Sequence, residues 1–311
     1  MTNARIQDIR QRMMMVMGSL ATQADNLPLD VVVHDETHVD GVRRQSITYT
    51  SEPGAQRPDV TAYLLLPDKP LPARPAMICP HQTTAVGKEE PAGVSGKPDL
   101  HYAFELAARG FVALAPDALT FGDLVSADPC PTGYVSGTMK SIQNHRRGIE
   151  LLAARDDVDA NRIGAIGHSL GGHNSLFLAA FDQRIKAVVT SCGFDTWQTY
   201  ARQFDSLKAW SQRRYMPRVA DVYGCDPDQM PFTFEEVLEA ISPRPLFINA
   251  PLHDANFQPD GVAACVDHVR PTYEAAGAAA SLEVCCPDAE HTFPVDVREQ
   301  AYAFLTRVLA G

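Results

Sequence analysis

Long apolar runs are absent from this sequence: no segment approaches the ~18 to 20 consecutive apolar residues that cross a bilayer, and no membrane span is expected. Paired cysteines are absent too. The seven cysteines, Cys79, Cys130, Cys192, Cys225, Cys265, Cys285 and Cys286, are odd in number, scattered and without a C-x-x-C spacing. That leaves neither a disulfide framework nor a zinc site and predicts a reduced, cytoplasmic setting. Positive charge is scarce, with 27 Lys and Arg against 38 Asp and Glu and a net charge of −11, so there is no footprint for nucleic acid. The short basic clusters Arg43-Arg44, His145-Arg146-Arg147 and Arg213-Arg214 are expected to be solvated surface. A clean signal peptide is also missing. Met13-Met14-Met15-Val16-Met17 follows closely on Arg5, Asp8, Arg10 and Arg12, and no small-residue cleavage site comes after it. Residues 4 to 20 read instead as an amphipathic helix, packed on this domain or on a second copy in a homo-oligomer. No internal repeat or low-complexity tract interrupts the chain.

What is present describes a soluble globular protein. Its 311 residues are 45% hydrophobic and 21% charged, which suits one domain with an insertion. Val31 to Val33, Ser46 to Tyr49 and Val60 to Leu66 have strand composition, and the loop at Glu52-Pro53-Gly54 reads as a hairpin joining the last two. Short apolar strands then alternate with helical stretches. Ala76 to Cys79 precedes a helix at His101 to Arg109 and a strand at Phe111 to Ala115; a helix around Ile142 to Arg155 precedes a strand at Arg162 to Gly167. A helix at Gly172 to Ala180, strands at Ala187 to Ser191 and Pro245 to Asn249, a helix around Val262 to Ala276, a strand at Ser281 to Cys285 and a last helix at Val297 to Leu309 complete the pattern. Strands apolar throughout are covered on both faces, so the fold class is α/β with a mostly parallel central sheet. Residues 1–30 form an N-terminal helical segment and 31–311 the main domain. Within it, 195–243 are too long for a crossover and read as an inserted helical cap.

The sharpest chemical signal is Gly167-His168-Ser169-Leu170-Gly171, which joins the strand Arg162 to Ile166 to a helix opening at Gly172. A serine that must project from a strained turn needs small neighbours, and Gly167, Gly171 and Gly172 supply them. The helix start also offers free N–H groups and a positive dipole end to a developing oxyanion. A serine hydroxyl needs a base and a group that orients the base. On an elbow of this kind the order along the chain is serine, acid, histidine. His291, between the last strand and the last helix, is the base. Asp254, in the loop after Pro245 to Asn249, is the preferred acid and Asp195 its rival. His168 has a packing role, Asp117 a structural one. Leu170 N–H is one oxyanion donor, and the second comes from Pro80-His81-Gln82-Thr83-Thr84, at Thr83 or at its neighbour Gln82.

With these residues in place the chain resembles the α/β-hydrolase superfamily, and within it the dienelactone hydrolase and acetyl xylan esterase-like group, from about Asp59 to the C-terminus. Beyond the elbow the likeness rests on Asp157 to Gly164, on Ala108-Arg109-Gly110-Phe111-Val112 leading to Ala115-Pro116-Asp117, and on the Asp254 and His291 loops. Serine stands where dienelactone hydrolases typically carry cysteine, which favours an esterase. His81-Gln82 stands where many relatives have His-Gly.

The expected function is hydrolysis of a small-molecule carboxylic ester through Ser169, His291 and Asp254 and an acyl-enzyme, with no cofactor and no metal. His34-x-x-x-His38 with Asp35 and Glu36 reads as a solvated strand face. Amide or peptide cleavage as in prolyl oligopeptidase-like enzymes, where no β-propeller is expected to precede the catalytic part, acyl transfer, and a non-catalytic binding module are the alternatives. Trp197, Tyr200 and Trp210 are candidates to line the substrate pocket.

Overall fold

The structure is a computed structural model and describes residues 2–20, 27–53, 59–69, 72–131 and 133–310. Gly54 of the expected hairpin loop and residues 21–26 of the N-terminal segment lie outside these. The strands are β1 Val32–Val39, β2 Val42–Tyr49, β3 Val60–Pro67, β4 Arg74–Ile78, β5 Val112–Pro116, β6 Val158–His168, β7 Ile185–Ser191, β8 Leu246–Asn249 and β9 Leu282–Cys285. They form one sheet in the order β1-β2-β3-β5-β4-β6-β7-β8-β9. β1, β2 and β3 pair antiparallel, β3 meets β5 antiparallel, and from β5 to β9 every pairing is parallel.

The parallel strands β4 and β5 are buried along their whole length, because helices cover both faces. On one face lie α1 (Asn3–Met17), α3 (Gly137–Ala153), α4 (Leu170–Phe181), α7 (Phe234–Ile241) and α8 (Pro259–Ala275); α2 (Tyr102–Ala108) and α9 (Val295–Leu305) cover the other. β1 forms one edge and is exposed at every position, with a register shift between Val33 and Asp35 that blunts it. On it His34 bonds Thr48 Oγ1 at 2.9 Å and His38 bonds Glu36 at 3.2 Å.

The chain leaves β4 toward β5 but leaves β6 toward β7, on the opposite side. Connections that part in this way open a crevice at the strand carboxyl ends. The loop after β4 and the turn after β6 both enter it. Residues 195–243 hold α5 (Trp197–Phe204), a 3-10 turn at Lys208–Ser211, the single turn α6 (Arg218–Asp221) and α7. The last of these packs on α4 and α8. In the remainder, Trp197, Trp210 and Phe232 stack with Phe177 and Phe234 into one aromatic cluster.

One surface expectation fails. His145 and Arg147 are 1% exposed, because α3 turns that face toward the sheet and its edge. Arg147 donates there to Thr50 O at 3.3 Å and pairs with Glu150. Arg44 likewise is tied down, donating to Ala92 O and Gly93 O at 3.2 and 3.1 Å.

α1 packs on its own domain. Thr2 caps it by accepting from Arg5 N, and Ile9, Met13, Val16 and Met17 are buried. Arg5 and Arg12 clamp it to α7 through Glu239 at 3.0 Å and Glu236 at 2.6 Å. Met13→Ala should therefore cost about 2–5 kcal/mol by leaving a cavity, whereas Met15→Ala, at a position 52% exposed, should change stability by less than about 0.5 kcal/mol. Urea midpoints of the two variants check this; equal midpoints would remove α1 from the core.

Candidate active site

The turn after β6 is held in a conformation that side chains rarely adopt. Ser169 has φ 52° and ψ −116°. It is fixed from both sides, donating its N–H to Ser191 O at 2.8 Å and accepting at its carbonyl from Gly172 N at 2.9 Å and His173 N at 3.1 Å. The glycines act through close approach. A Cβ at Gly167 would overlap the backbone of Gly171, and one at Gly171 would overlap Pro80 O in the loop after β4. Pro80 O is itself positioned by the buried Tyr102 hydroxyl, which donates to it at 2.5 Å. Elbow and loop are thus in direct contact, and Leu170, first in the helix and ahead of its hydrogen-bond ladder, borders the same cavity as Thr83.

His291 donates from Nδ1 to Asp254 Oδ1 at 2.8 Å, which leaves Nε2 with its lone pair. Asp254 Oδ1 also accepts from Asn256 N at 2.7 Å and Phe257 N at 3.1 Å. Burial would raise this carboxyl, but the bonds and charge of His291 and the two amides outweigh it and hold the group below the usual carboxylate range. Asp195 does not reach the histidine. It accepts from Gln258 N at 3.0 Å and supports the start of α8. Ser169 makes no hydrogen bond to His291 among the described residues; such bonds commonly tighten only with substrate.

Two cavities meet at Ser169. One, of about 190 Å³, is walled by Leu170, His173, Tyr200, Trp210, Tyr215 and Phe257. The other, of about 280 Å³, is polar and contains Gln82, Glu90, Lys97, His168 and His291. Thr83 and Asn256 border both. Tyr200 and Trp210 therefore line the crevice. Trp197 does not: it is 1% exposed and donates to Phe232 O at 2.7 Å, behind Trp210, because α5 turns that side chain into the aromatic cluster.

The loop carrying Gln82 and Thr83 is braced by residues of which the sequence marked only Asp117, as structural. His81 uses both nitrogens, donating from Nδ1 to Gln82 O at 2.6 Å and accepting at Nε2 from Ala118 N at 2.9 Å. Burial, chiefly, lowers its pKa. Further on, Lys88 and Asp117 form a buried ion pair at 2.6 Å, and Asp117 also accepts from Lys88 N and from Thr61 Oγ1. Burial opposes the Lys88 charge, but Asp117 and Asp123 hold the ammonium above its ordinary range. His173 was legible in principle, since it stands four residues after Ser169 and so on the same helix face.

His168 bonds Ser191 Oγ at 2.9 Å and its ring lies 4.7 Å from that of His291. With Cys192 these histidines form a group whose ligating atoms lie within 4.8 Å of one another. A metal held there would occupy His291, the group bonded to Asp254.

A serine on a strand–turn–helix elbow, beside a His–Asp pair at the carboxyl edge of a parallel sheet, defines an α/β hydrolase. The prolyl oligopeptidase family model matches residues 139–311, more than half of the chain. The chain belongs to the prolyl oligopeptidase family. A relative from Bacillus subtilis (strain 168), "Putative hydrolase YtaP", is 27% identical over 212 residues, 66% of this chain and 67% of that one. Among solved structures, a glucuronoyl esterase from Solibacter usitatus superposes with TM-score 0.75 at 16% identity over 100% of this chain and 93% of its own. An acetyl xylan esterase from Paenibacillus sp. R4 gives 0.68 at 18% over 99% and 100%. The methylesterase BT1017 gives 0.71 at 18% identity over 99% of this chain, which spans 63% of that longer protein.

Asp195 generates a pH prediction. Burial, with Asp254 and Asp260 nearby, pushes its carboxyl up to about 7. In the unfolded chain the group ionises near ~3.9. Between about pH 4 and 7 the folded state therefore keeps a proton that the unfolded state releases, and stability falls as pH rises. Asp195→Asn retains an oxygen for Gln258 N–H and has no such proton. Its stability relative to wild type should improve from pH 5 to 7.5 by on the order of a few kcal/mol, read from urea midpoints; a pH-independent difference would refute the assignment.

Proposed function

We propose that this protein hydrolyses carboxylic esters, with Ser169 as nucleophile, His291 as general base and Asp254 as its orienting carboxylate. The observation that carries this reading is the 2.8 Å bond from His291 Nδ1 to Asp254 Oδ1, at a cavity bordered by both His291 and Ser169. In the proposed sequence His291 Nε2 takes the Ser169 proton as Oγ attacks the carbonyl carbon. Leu170 N–H and Thr83 N–H receive the oxyanion. His291 then returns the proton to the departing alcohol, and water activated by the same base releases the acid from the acyl-enzyme. Solved proteins of similar fold include a glucuronoyl esterase and an acetyl xylan esterase, which supports ester over amide. Family membership favours peptide-bond cleavage as the second reading.

The test is a p-nitrophenyl ester series from acetate to octanoate beside the matching anilides. Wild type is expected to turn over the esters, best with short acyl groups that fit a cavity of about 190 Å³, and to leave the anilides. Ser169→Ala should abolish turnover and fluorophosphonate labelling, and Asp254→Asn should lower kcat by about 10³- to 10⁴-fold. Anilides cleaved in preference to esters would establish the peptidase reading, and a folded wild type that neither turns over nor is labelled would end both.

A further inference from the structure

Ser191 and Asn249 stand side by side in register at the carboxyl ends of β7 and β8, and the side chain of Asn249 joins the support of the elbow to the His291 loop. Asn249 is 1% exposed. Its amide nitrogen makes its two short bonds by donating to Ser191 Oγ at 2.8 Å and to Thr292 O at 2.9 Å, which uses both of its hydrogens. The orientation of the amide is set by Thr292, because a carbonyl only accepts and must face the nitrogen.

Each acceptor belongs to a residue next to the Ser169 and His291 pair. The Ser191 carbonyl accepts from Ser169 N at 2.8 Å, and its hydroxyl bonds His168 Nδ1 at 2.9 Å, whose ring lies 4.7 Å from that of His291. Thr292 directly follows His291. Among the described residues the backbone N–H and C=O of His291 have no hydrogen-bond partner, so this histidine is held by its ring bond to Asp254 and through its neighbours. The Thr292 hydroxyl donates to Asp99 at 2.7 Å, and the Thr292 carbonyl accepts from Asn249 and, at 3.4 Å, from the thiol of Cys192, a weaker donor. Asn249 is also a costly residue for packing alone. Its Oδ1 is buried without a partner, a state that lowers stability and that a leucine, branched in the same way, avoids. What the asparagine supplies is two donors to two loops.

We propose that Asn249 is a positioning residue for the hydrolysis: by donating to Ser191 and Thr292 at once, it fixes where the His291 ring stands relative to Ser169. This rests on the ester-hydrolase reading, in which His291 takes the Ser169 proton, and adds to it a residue that touches neither substrate nor reacting atoms. Proton transfer between the two tolerates little error, since a misplacement of ~1 Å can cost ~10²-fold in rate.

The test measures p-nitrophenyl acetate turnover and the rate of fluorophosphonate labelling in Asn249→Leu, with the end point of labelling counting competent sites. Per competent site, kcat is expected to fall by about 10- to 100-fold, and the labelling rate with it. KM should change by less than about twofold, because no substrate contact is lost. In His291→Ala no base remains to be positioned, so adding Asn249→Leu should change the residual rate by less than about twofold. Asn249→Ala also lacks the donors and adds no bulk, and carries the same expectations should the leucine variant not fold. A kcat per competent site within about twofold of wild type would overturn the proposal while leaving the hydrolase intact. An equal loss with and without His291 would overturn it as well, as would failure of both variants to fold; either result would assign Asn249 to the stability of the sheet end. Wild-type turnover by His291→Ala would instead bring down the reading of His291 as base, on which this one stands.

Discussion

The backbone of Ser169 is the constraint around which the site is arranged. At φ 52° and ψ −116° the residue sits where a side chain is strained, and such conformations persist only where the surroundings over-determine them. Here that role falls to the hydrogen bond with Ser191 at the end of β7 and to a helix that begins at the next residue. It falls equally to glycines at 167 and 171, which admit the backbone of the neighbouring turn and of the loop after β4. Because Pro80 O abuts Gly171 and is held by Tyr102, the same contact that shapes the turn at Ser169 also sets the position of Gln82 and Thr83.

A second level of support is electrostatic. The segment from Thr83 to Pro98 is long, yet it is tied into the fold at several charged points. Lys88 is paired with Asp117 and Asp123, Glu90 accepts from Lys97 N at 2.7 Å, and Arg44 holds the carbonyls of Ala92 and Gly93. Buried ion pairs add little net stability against an apolar replacement, but removing one partner strands the other charge. Their effect here is to specify one path for a loop that would otherwise have many.

Much of this was legible along the chain, and the illegible parts share a cause. Strands β4, β5 and β8 announced themselves as short apolar runs because both faces are covered, and the elbow because the turn needs glycine at fixed offsets. The order serine, acid, histidine was an expectation from the elbow. Hidden were the features that depend on which way a helix turns. His145 and Arg147 look like surface charge until α3 is seen to press them inward. Trp197 and Trp210 are both aromatic residues of one stretch, yet one is sealed behind the other. Asp195 and Asp254 occupy equivalent loops after β7 and β8, and only the distance to His291 separates them. Lys88 and Asp117 meet across 29 positions of sequence with no local signature of the pairing.

The clamp between α1 and α7 sets an order of events during synthesis. Arg12 closes on Glu236, 224 positions later, and the four buried residues of α1 have no complete surface to rest on until that helix exists. At ~5–20 residues per second, a ribosome would need about 11 to 45 seconds to bridge the gap. Through that interval the buried face of α1, Ile9, Met13, Val16 and Met17, lacks part of the surface it packs on in the folded protein.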